Sequence, residues 1–299
     1  MPEGLKSIIN TGFNIWRNNL KIGVPFLLES IIDFVLALIF IFVLALLIFS
    51  SFINPLDITS SLSSLSALGI GTIIAILFCV ILFILLISLI SAFFHAGAIG
   101  MSKTAIESGK TKLSDMMSYG KRKFISLFLA DIIVTIIQFA GVFLLIGVPA
   151  LVIFLLKSIP KIISLTFLII GVILAGIYLI AAGIVFSLVP YSVVISDLGA
   201  VKGVKNAFGV FMKNKLDVFV LCLLIFIITI AVGICQVALG FFIGAINLIM
   251  NSAISSLLFS ILRWIVDIVF WLISIVIILP LTTVWWSKLY MDRTGVDKG

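Results

Sequence analysis

Charged residues are scarce in this sequence. Asp, Glu, Lys and Arg make up 10% of the 299 residues, whereas hydrophobic residues make up 63%. An ordinary soluble domain carries about 25% charged residues, so this composition excludes that class. The mean hydropathy of +1.44 and repeated apolar runs of about 20 residues predict an all-α, polytopic membrane protein.

Cysteine, histidine and the common catalytic motifs are also rare or missing. The three cysteines, Cys79, Cys222 and Cys235, lie inside apolar runs without CxxC spacing, which argues against a disulfide framework. The single histidine, His95, has no partner at HxxE or HxxxH spacing. The sequence contains no Walker loop, GxSxG elbow or HExxH motif. We therefore expect no metal, no cofactor and no enzymatic activity.

A basic amphipathic segment that leads into an apolar run occurs three times. The longest example spans residues 113–134 and contains Lys121-Arg122-Lys123-Phe124. Similar elbows occur at Arg17–Leu20 and Lys213–Leu216, roughly 100 residues away on either side. This spacing predicts one transmembrane domain over residues 1–299, with three parallel pseudo-repeats at roughly 1–104, 105–200 and 201–299.

Each pseudo-repeat is predicted to contain an interfacial amphipathic helix followed by two spans. We expect Pro190 to kink the fourth span without breaking it. Trp285, Trp286 and Tyr290 are predicted to mark the membrane interface of the sixth span. The six predicted spans are Phe34–Ile53, Ile70–Phe94, Phe124–Leu156, Ile162–Val189, Val218–Ile246 and Ser256–Thr283.

The distribution of Lys and Arg predicts the orientation. Sixteen of the 19 lie in the N-terminus, residues 102–123, residues 196–215 and the C-terminal tail. The opposite loops hold only Lys157 and Lys161, and the segment Asn54–Ala67 has neither residue type. By the positive-inside rule, both termini are cytoplasmic in a multi-pass protein of the cell membrane.

The net charge of +7 predicts anionic lipid headgroups, and not nucleic acid, as partners, because the bases lie beside the spans. We expect headgroup contacts from seven residues of the three elbows. They are Arg17, Lys21, Lys121, Arg122, Lys123, Lys213 and Lys215.

Several acids lie inside or near the apolar runs, where a charge at mid-membrane costs about 2.5–3.5 kcal/mol. Glu29 and Asp33 share one helix face, and Asp131 follows the second elbow. One interpretation is a polar vestibule between spans 1, 3 and 5 that takes up a cation, a proton or a headgroup. The other places these acids, with Asp217, at helix N-termini, where they pair with elbow bases such as Lys215.

Three features of the last span pair are predicted to be structural. Arg263 and Asp267 have i,i+4 spacing, so we expect a structural ion pair with the arginine reaching outward. Gln236 is expected to form an interhelical hydrogen bond. Gly240 and Gly244 form a GxxxG motif, which is typical of close helix packing.

Three segments carry a family resemblance. They are Gly12–Leu20 (GFNIWRNNL), Glu107–Lys110 with the 119–124 elbow, and Val189–Gly199 leading to Ala207-Phe208. In them the chain resembles six-span prokaryotic membrane families of unknown function. It is also similar to the membrane domain of some glycerophosphodiester phosphodiesterases, whose catalytic domain is absent here. The resemblance implies a fold and residence in the membrane, not an activity.

Two functional classes follow from these patterns. The first is a non-enzymatic multi-pass membrane protein that contacts or organises lipid, or a membrane partner, through a basic cytosolic face. The alternative is a small transporter or permease subunit with an acidic cytosolic vestibule. An intramembrane enzyme is a third class, for which no nucleophile–base pair is evident. The sequence specifies neither protein partners nor an oligomeric state.

Overall fold

The chain is all-helical over the residues that the structure describes. The computed structural model describes residues 4–52, 70–155, 160–250 and 253–296, and no strand occurs within them. The α-helices are α1 (Leu5–Asn18), α2 (Val24–Phe52), α3 (Ile70–Ser108), α4 (Leu113–Val142), α5 (Val148–Leu155), α6 (Lys161–Phe186), α7 (Val189–Ile195), α8 (Ala200–Lys213), α9 (Lys215–Met250), α10 (Ala253–Ile273) and α11 (Leu279–Thr294). Short 3₁₀ or π segments at Leu20–Gly23, Phe143–Gly147 and Ser274–Ile278 connect some of them.

Six helical segments of the described chain are long and apolar enough to cross a membrane. This confirms the predicted number of spans and their approximate positions. The predicted loop Asn54–Ala67 and the turn residue Lys157 lie outside the described residues. The six segments are Leu20–Phe49, Gly71–Ser108, Leu113–Leu155, Lys161–Ile195, Lys215–Met250 and Ser256–Thr294.

Side-chain packing is concentrated at one end of the helices, which we call the packed end. The main buried cluster joins α1, the C-terminal part of α3, the N-terminal parts of α4 and α9, and helices α7, α8 and α11. Farther along α2, α9 and α10, large apolar side chains such as Phe49 and Phe241 are exposed. Lipid tails are as apolar as leucine, so such surfaces are what a bilayer-spanning helix requires.

Helix α11 forms the centre of the packed end. Ten of its residues, between Pro280 and Met291, are buried. The indole Nε1 of Trp285 donates to the Ile9 carbonyl of α1 at 3.0 Å. Trp285, Trp286 and Tyr290 are all less than 10% exposed, so they contact other helices and not lipid, and their role as membrane-interface markers stays a prediction. Helix packing has buried the aromatic rings that the sequence pattern assigned to the lipid interface.

The first and third elbows share a structure that the second lacks. Asn19 and Asn214 end the helices before them, and each side chain donates to the carbonyl four residues earlier, at 2.9 Å. At the second elbow, α4 runs without a break from Leu113 to Val142. The predicted separate interfacial helix is therefore absent before this span.

Prolines interrupt the spans at three places. Pro149 and Pro280 each follow a π segment by two residues. Proline lacks an N–H and crowds the carbonyl four residues earlier, and the wider π turn accommodates both effects. Pro190 is the second residue of α7, after a turn at Ser187-Leu188. The candidate span nevertheless runs through both helices, from Lys161 to Ile195, so the fourth span continues past Pro190 as predicted, with a turn before it.

Candidate functional site

Exposed cations lie beside one exposed leucine at each of the first and third elbows. Arg17 and Lys21 flank Leu20, which is 57% exposed. Lys213 and Lys215 precede Leu216, which is 79% exposed. We call these six residues the basic rim. Lys121 and Arg122 of α4 are also exposed, so six of the seven predicted headgroup contacts are accessible.

Lys123, the seventh predicted headgroup contact, is buried at the packed end. Its Nζ lies 2.7 Å from Asp197 Oδ1 and donates to the Leu198 carbonyl at 3.4 Å. Only 9% of the lysine side chain is exposed, so it faces the loop between α7 and α8 and not a lipid headgroup. Its assignment as a headgroup contact was therefore wrong. Two residues of separation on a helix place Lys121 and Lys123 on different faces.

The loop held by Lys123 has a strained backbone. Asp197 has a positive φ of 57°, which non-glycine residues adopt at a cost of about 1–2 kcal/mol. The carboxylate accepts a hydrogen bond from Lys123, and this contact lowers the pKa of Asp197 below its ordinary value. Arg122, at 3.4 Å, adds a second cation. The clamp thus fixes the start of α8 against α4.

A second clamp holds the loop between α3 and α4. The Asn19 amide donates to the Gly109 carbonyl at 3.0 Å, and Thr111 N donates to Asn19 Oδ1 at 3.1 Å. Gly109 has φ +76°, a conformation that suits glycine. The sequence segments GFNIWRNNL and ESGK, which carried the family resemblance, therefore meet in space through Asn19.

A buried hydrogen-bond network joins α7, α8 and α11. The Asn206 amide donates to Tyr290 OH at 2.7 Å and to Ser192 Oγ at 3.0 Å. The hydroxyls of Tyr290 and Ser196 lie 2.7 Å apart. Sequence reasoning missed this network because its members come from separate helices and match no motif. It satisfies polar groups that would otherwise be buried without partners.

The acids of the first span meet a histidine and not an elbow base. Glu29 lies 3.6 Å from His95 Nε2 of α3. One turn farther along α2, Asp33 Oδ1 is buried without a hydrogen-bond partner in the described chain. The Phe26 ring packs edge-on against the His95 ring at 5.7 Å. The structure thus brings together Glu29, Asp33 and His95.

The other predicted acids lie elsewhere. Asp131 is exposed on α4, and α2 and α4 each pack along α3. Asp217 pairs with Arg293 of the C-terminal region at 2.8 Å, and not with Lys215. Within the described chain, no group of three or more His, Cys, Asp or Glu residues could hold a metal ion. A single vestibule that includes Asp131 stays a prediction.

The predicted pair on the sixth span is in contact. Arg263 Nε lies 3.3 Å from Asp267 Oδ2, and Gln236 of α9 donates to Asp267 Oδ1 at 2.9 Å. Gly240 lies directly beneath the Arg263 guanidinium, whereas a side chain at Gly244 would meet no atom within 4 Å. This GxxxG motif therefore accommodates an arginine at its first glycine and leaves open space at its second.

The fold defines the class of this chain: it is a multi-pass helical membrane protein with six candidate spans. The chain belongs to the family described as Domain of unknown function (DUF7847), whose model matches residues 31–287. It is 24% identical over 305 residues to an uncharacterized protein of Archaeoglobus fulgidus, with 98% of this chain and 97% of the relative covered. No solved structure matches the chain. The similarity to the membrane domain of glycerophosphodiester phosphodiesterases stays a prediction.

Proposed function

We propose that this protein is a non-enzymatic membrane protein that binds and organises anionic lipid through a basic cytosolic face. The observation that carries the proposal is the basic rim, where Leu20 and Leu216 are exposed between or beside exposed cations. An aliphatic side chain at this position inserts among the acyl chains, while the neighbouring lysines and arginines reach the headgroup phosphates.

The charges of the rim, together with Lys121 of α4, support this function. In the described chain, Arg17, Lys21, Lys121, Lys213 and Lys215 form no ion pair with an acid. Each Lys or Arg near an anionic surface contributes about 1 kcal/mol of attraction. Five such cations beside the starts of three spans would therefore enrich anionic lipid around the protein, and the effect would weaken with salt.

The orientation and the repeat belong to the same proposal. Both termini are cytoplasmic in the cell membrane, α1 and α8 lie in the interface, and the chain is built of parallel units. The matching Asn19 and Asn214 caps, and the exposed Phe13 of α1 and Phe208 of α8, support this arrangement. A membrane-impermeant maleimide applied from outside should label Lys161→Cys but neither Ser108→Cys nor Ala200→Cys. Labelling of the last two would overturn the orientation.

Lipid retention tests the proposed function directly. The Arg17→Gln/Lys21→Gln/Lys213→Gln/Lys215→Gln variant removes the cations of the rim. Its charge-matched control, Lys110→Gln/Lys112→Gln/Lys202→Gln/Lys205→Gln, removes four exposed lysines from outside the two elbows. Each protein is purified in mild detergent from membranes containing phosphatidylglycerol and phosphatidylcholine, and the retained lipid is quantified.

We expect the rim variant to retain less phosphatidylglycerol than the wild type, with phosphatidylcholine unchanged. The control should retain more phosphatidylglycerol than the rim variant, because its lysines are not adjacent to Leu20 or Leu216. Equal retention of phosphatidylglycerol by the wild type and the rim variant would overturn the proposal.

A second candidate function is a small transporter or permease subunit. The contact between Glu29 and His95, with the buried unpartnered oxygen of Asp33 one turn away, favours it. Polar groups of this kind inside a span are typical of proton or cation pathways. In proteoliposomes, Glu29→Gln/Asp33→Asn should abolish a proton- or cation-coupled flux while the protein stays folded. Absence of any such flux in the wild type would remove this candidate.

A further inference from the structure

A polar groove between α9 and α10 lies far from the basic rim. Gly240 is roughly 25 residues from the start of α9 at the packed end, about 37 Å along a helix. A cavity of about 210 Å³ opens beside it. The lining residues that matter here are Asn247, Ser260, Arg263 and Trp264, with Gly240 and Gly244.

Arg263 is held with one edge of its guanidinium toward Asp267. The Nε atom donates to Asp267 Oδ2, and the Gln236 amide donates to the other carboxylate oxygen. The Nη1 and Nη2 atoms lie above Gly240, where a Cβ would approach the guanidinium carbon to 2.5 Å. In the described chain, Arg263 donates to Asp267 through Nε, and neither Nη atom donates a hydrogen bond. The arginine thus retains donors for a further acceptor.

The floor of the groove is left open by its second glycine. No atom would lie within 4 Å of a Cβ at Gly244. Asn247 lies three residues farther along α9, on the same face, and supplies an amide with two N–H donors. The Ser260 hydroxyl donates to the Ser256 carbonyl at 2.8 Å, so it is not counted as a donor to a ligand.

We propose that this groove binds the phosphate of a phospholipid headgroup, with the Arg263 Nη groups and the Asn247 amide as donors. A planar guanidinium matches two phosphate oxygens, and such charge-assisted hydrogen bonds are stronger than neutral ones. Inorganic phosphate presents the same oxygens, so the ligand chemistry is a phosphate and the proposed source is lipid.

The surroundings of the groove favour the lipid source. Arg263 lies seven residues past Ser256, where the candidate span begins, which is about 10 Å along the helix. Its side chain can extend toward the headgroup level from there. Trp264, beside it, is 71% exposed, and tryptophan is enriched at the membrane interface. The site does not depend on the basic rim, which lies at the other end of the spans.

The test uses native mass spectrometry of the full-length protein titrated with phosphatidylglycerol. Gly244→Leu fills the open floor without altering any charge. Gly233→Leu is its matched control, since Gly233 lies on the same helix and also has no atom within 4 Å of a Cβ. Arg263→Gln/Asp267→Asn removes the guanidinium and leaves no unpaired carboxylate. A competition experiment with inorganic phosphate distinguishes the two sources of the phosphate group, lipid and free phosphate.

We expect Gly244→Leu and the double variant to weaken the binding of one phosphatidylglycerol by about tenfold, the loss expected for charge-assisted hydrogen bonds. Gly233→Leu should bind as the wild type does. The four-residue rim variant should keep this lipid, which separates the groove from the proposed function. Unchanged binding in both groove variants would overturn the inference, as would complete displacement of the lipid by inorganic phosphate.

Discussion

Tyr290 and Asn206 lie at the centre of the packed end, where the asparagine amide donates to the tyrosine hydroxyl at 2.7 Å. The tyrosine comes from α11 and is fully buried, and the asparagine comes from α8. The contact therefore ties the last span to the helix that leads into the fifth.

Removing this hydroxyl should destabilise the protein. Tyr290→Phe leaves the Asn206 amide and Ser196 without one of their partners, which costs about 1–3 kcal/mol for a buried polar group. Tyr178→Phe is the matched control, since Tyr178 OH makes a single exposed hydrogen bond to the Ile137 carbonyl. Thermal unfolding in detergent should show a lower Tm for Tyr290→Phe than for Tyr178→Phe. Equal Tm values would contradict the role of the network.

Substitutions of Lys121 and Lys123 should have different effects on stability and lipid retention, although the two residues are only two positions apart. Lys123→Gln removes the buried clamp on Asp197 and should lower the unfolding temperature, because the strained loop loses its partner. Lys121→Gln affects an exposed side chain, so it should lower phosphatidylglycerol retention and leave the Tm unchanged. The measurements are thermal unfolding and lipid quantification on the same preparations. A reversed pattern would contradict the division of roles.

The clamp should also give a pH dependence. The pKa of Asp197 is lowered in the folded protein, chiefly by the hydrogen bond from Lys123. Its stabilising contribution is therefore fully present above the unfolded value of 3.8 and is lost as the pH falls through the lower folded pKa. Asp197→Asn, which tolerates the left-handed conformation, removes this contribution.

The Tm difference between the wild type and Asp197→Asn is the measurement. It should be constant between neutral pH and about pH 5, and should shrink only below the unfolded pKa. A difference that shrinks as the pH rises above 7 would mean that another titrating group controls the loop.

The close approach of α1 to α11 depends on Gly12. A Cβ at this position would collide with the Trp285 ring, so Gly12→Ala should displace α1 and expose the N-terminal segment to protease. Gly209→Ala of α8 is the matched control, because a Cβ there meets no atom within 4 Å. The control should be neutral or stabilising by about 0.5–1 kcal/mol. Limited proteolysis with the same rate in both variants would contradict this packing.

The clamps and the acids show where sequence reasoning stops. The elbows at Asn19 and Asn214 could be located from the pattern, because a polar break between an amphipathic helix and an apolar run is a local signal. The sequence did not show that α4 lacks such a break. The continuity of α4 depends on hydrogen bonds along the whole helix, and not on a local pattern. The partner of Glu29 was also not predictable, since His95 belongs to another span.

The sequence alone determined the membrane class and the six spans, because hydrophobic length is a local property that adds up over about 20 residues. Only the tertiary structure decided that Lys123 is buried while Lys121 is exposed, that α11 lies at the centre of the packed end, and that Gly240 accommodates Arg263. The physical reason is that side-chain burial depends on which helix faces which. Contacts between helices form between segments that are far apart in the chain, so no local sequence pattern predicts them.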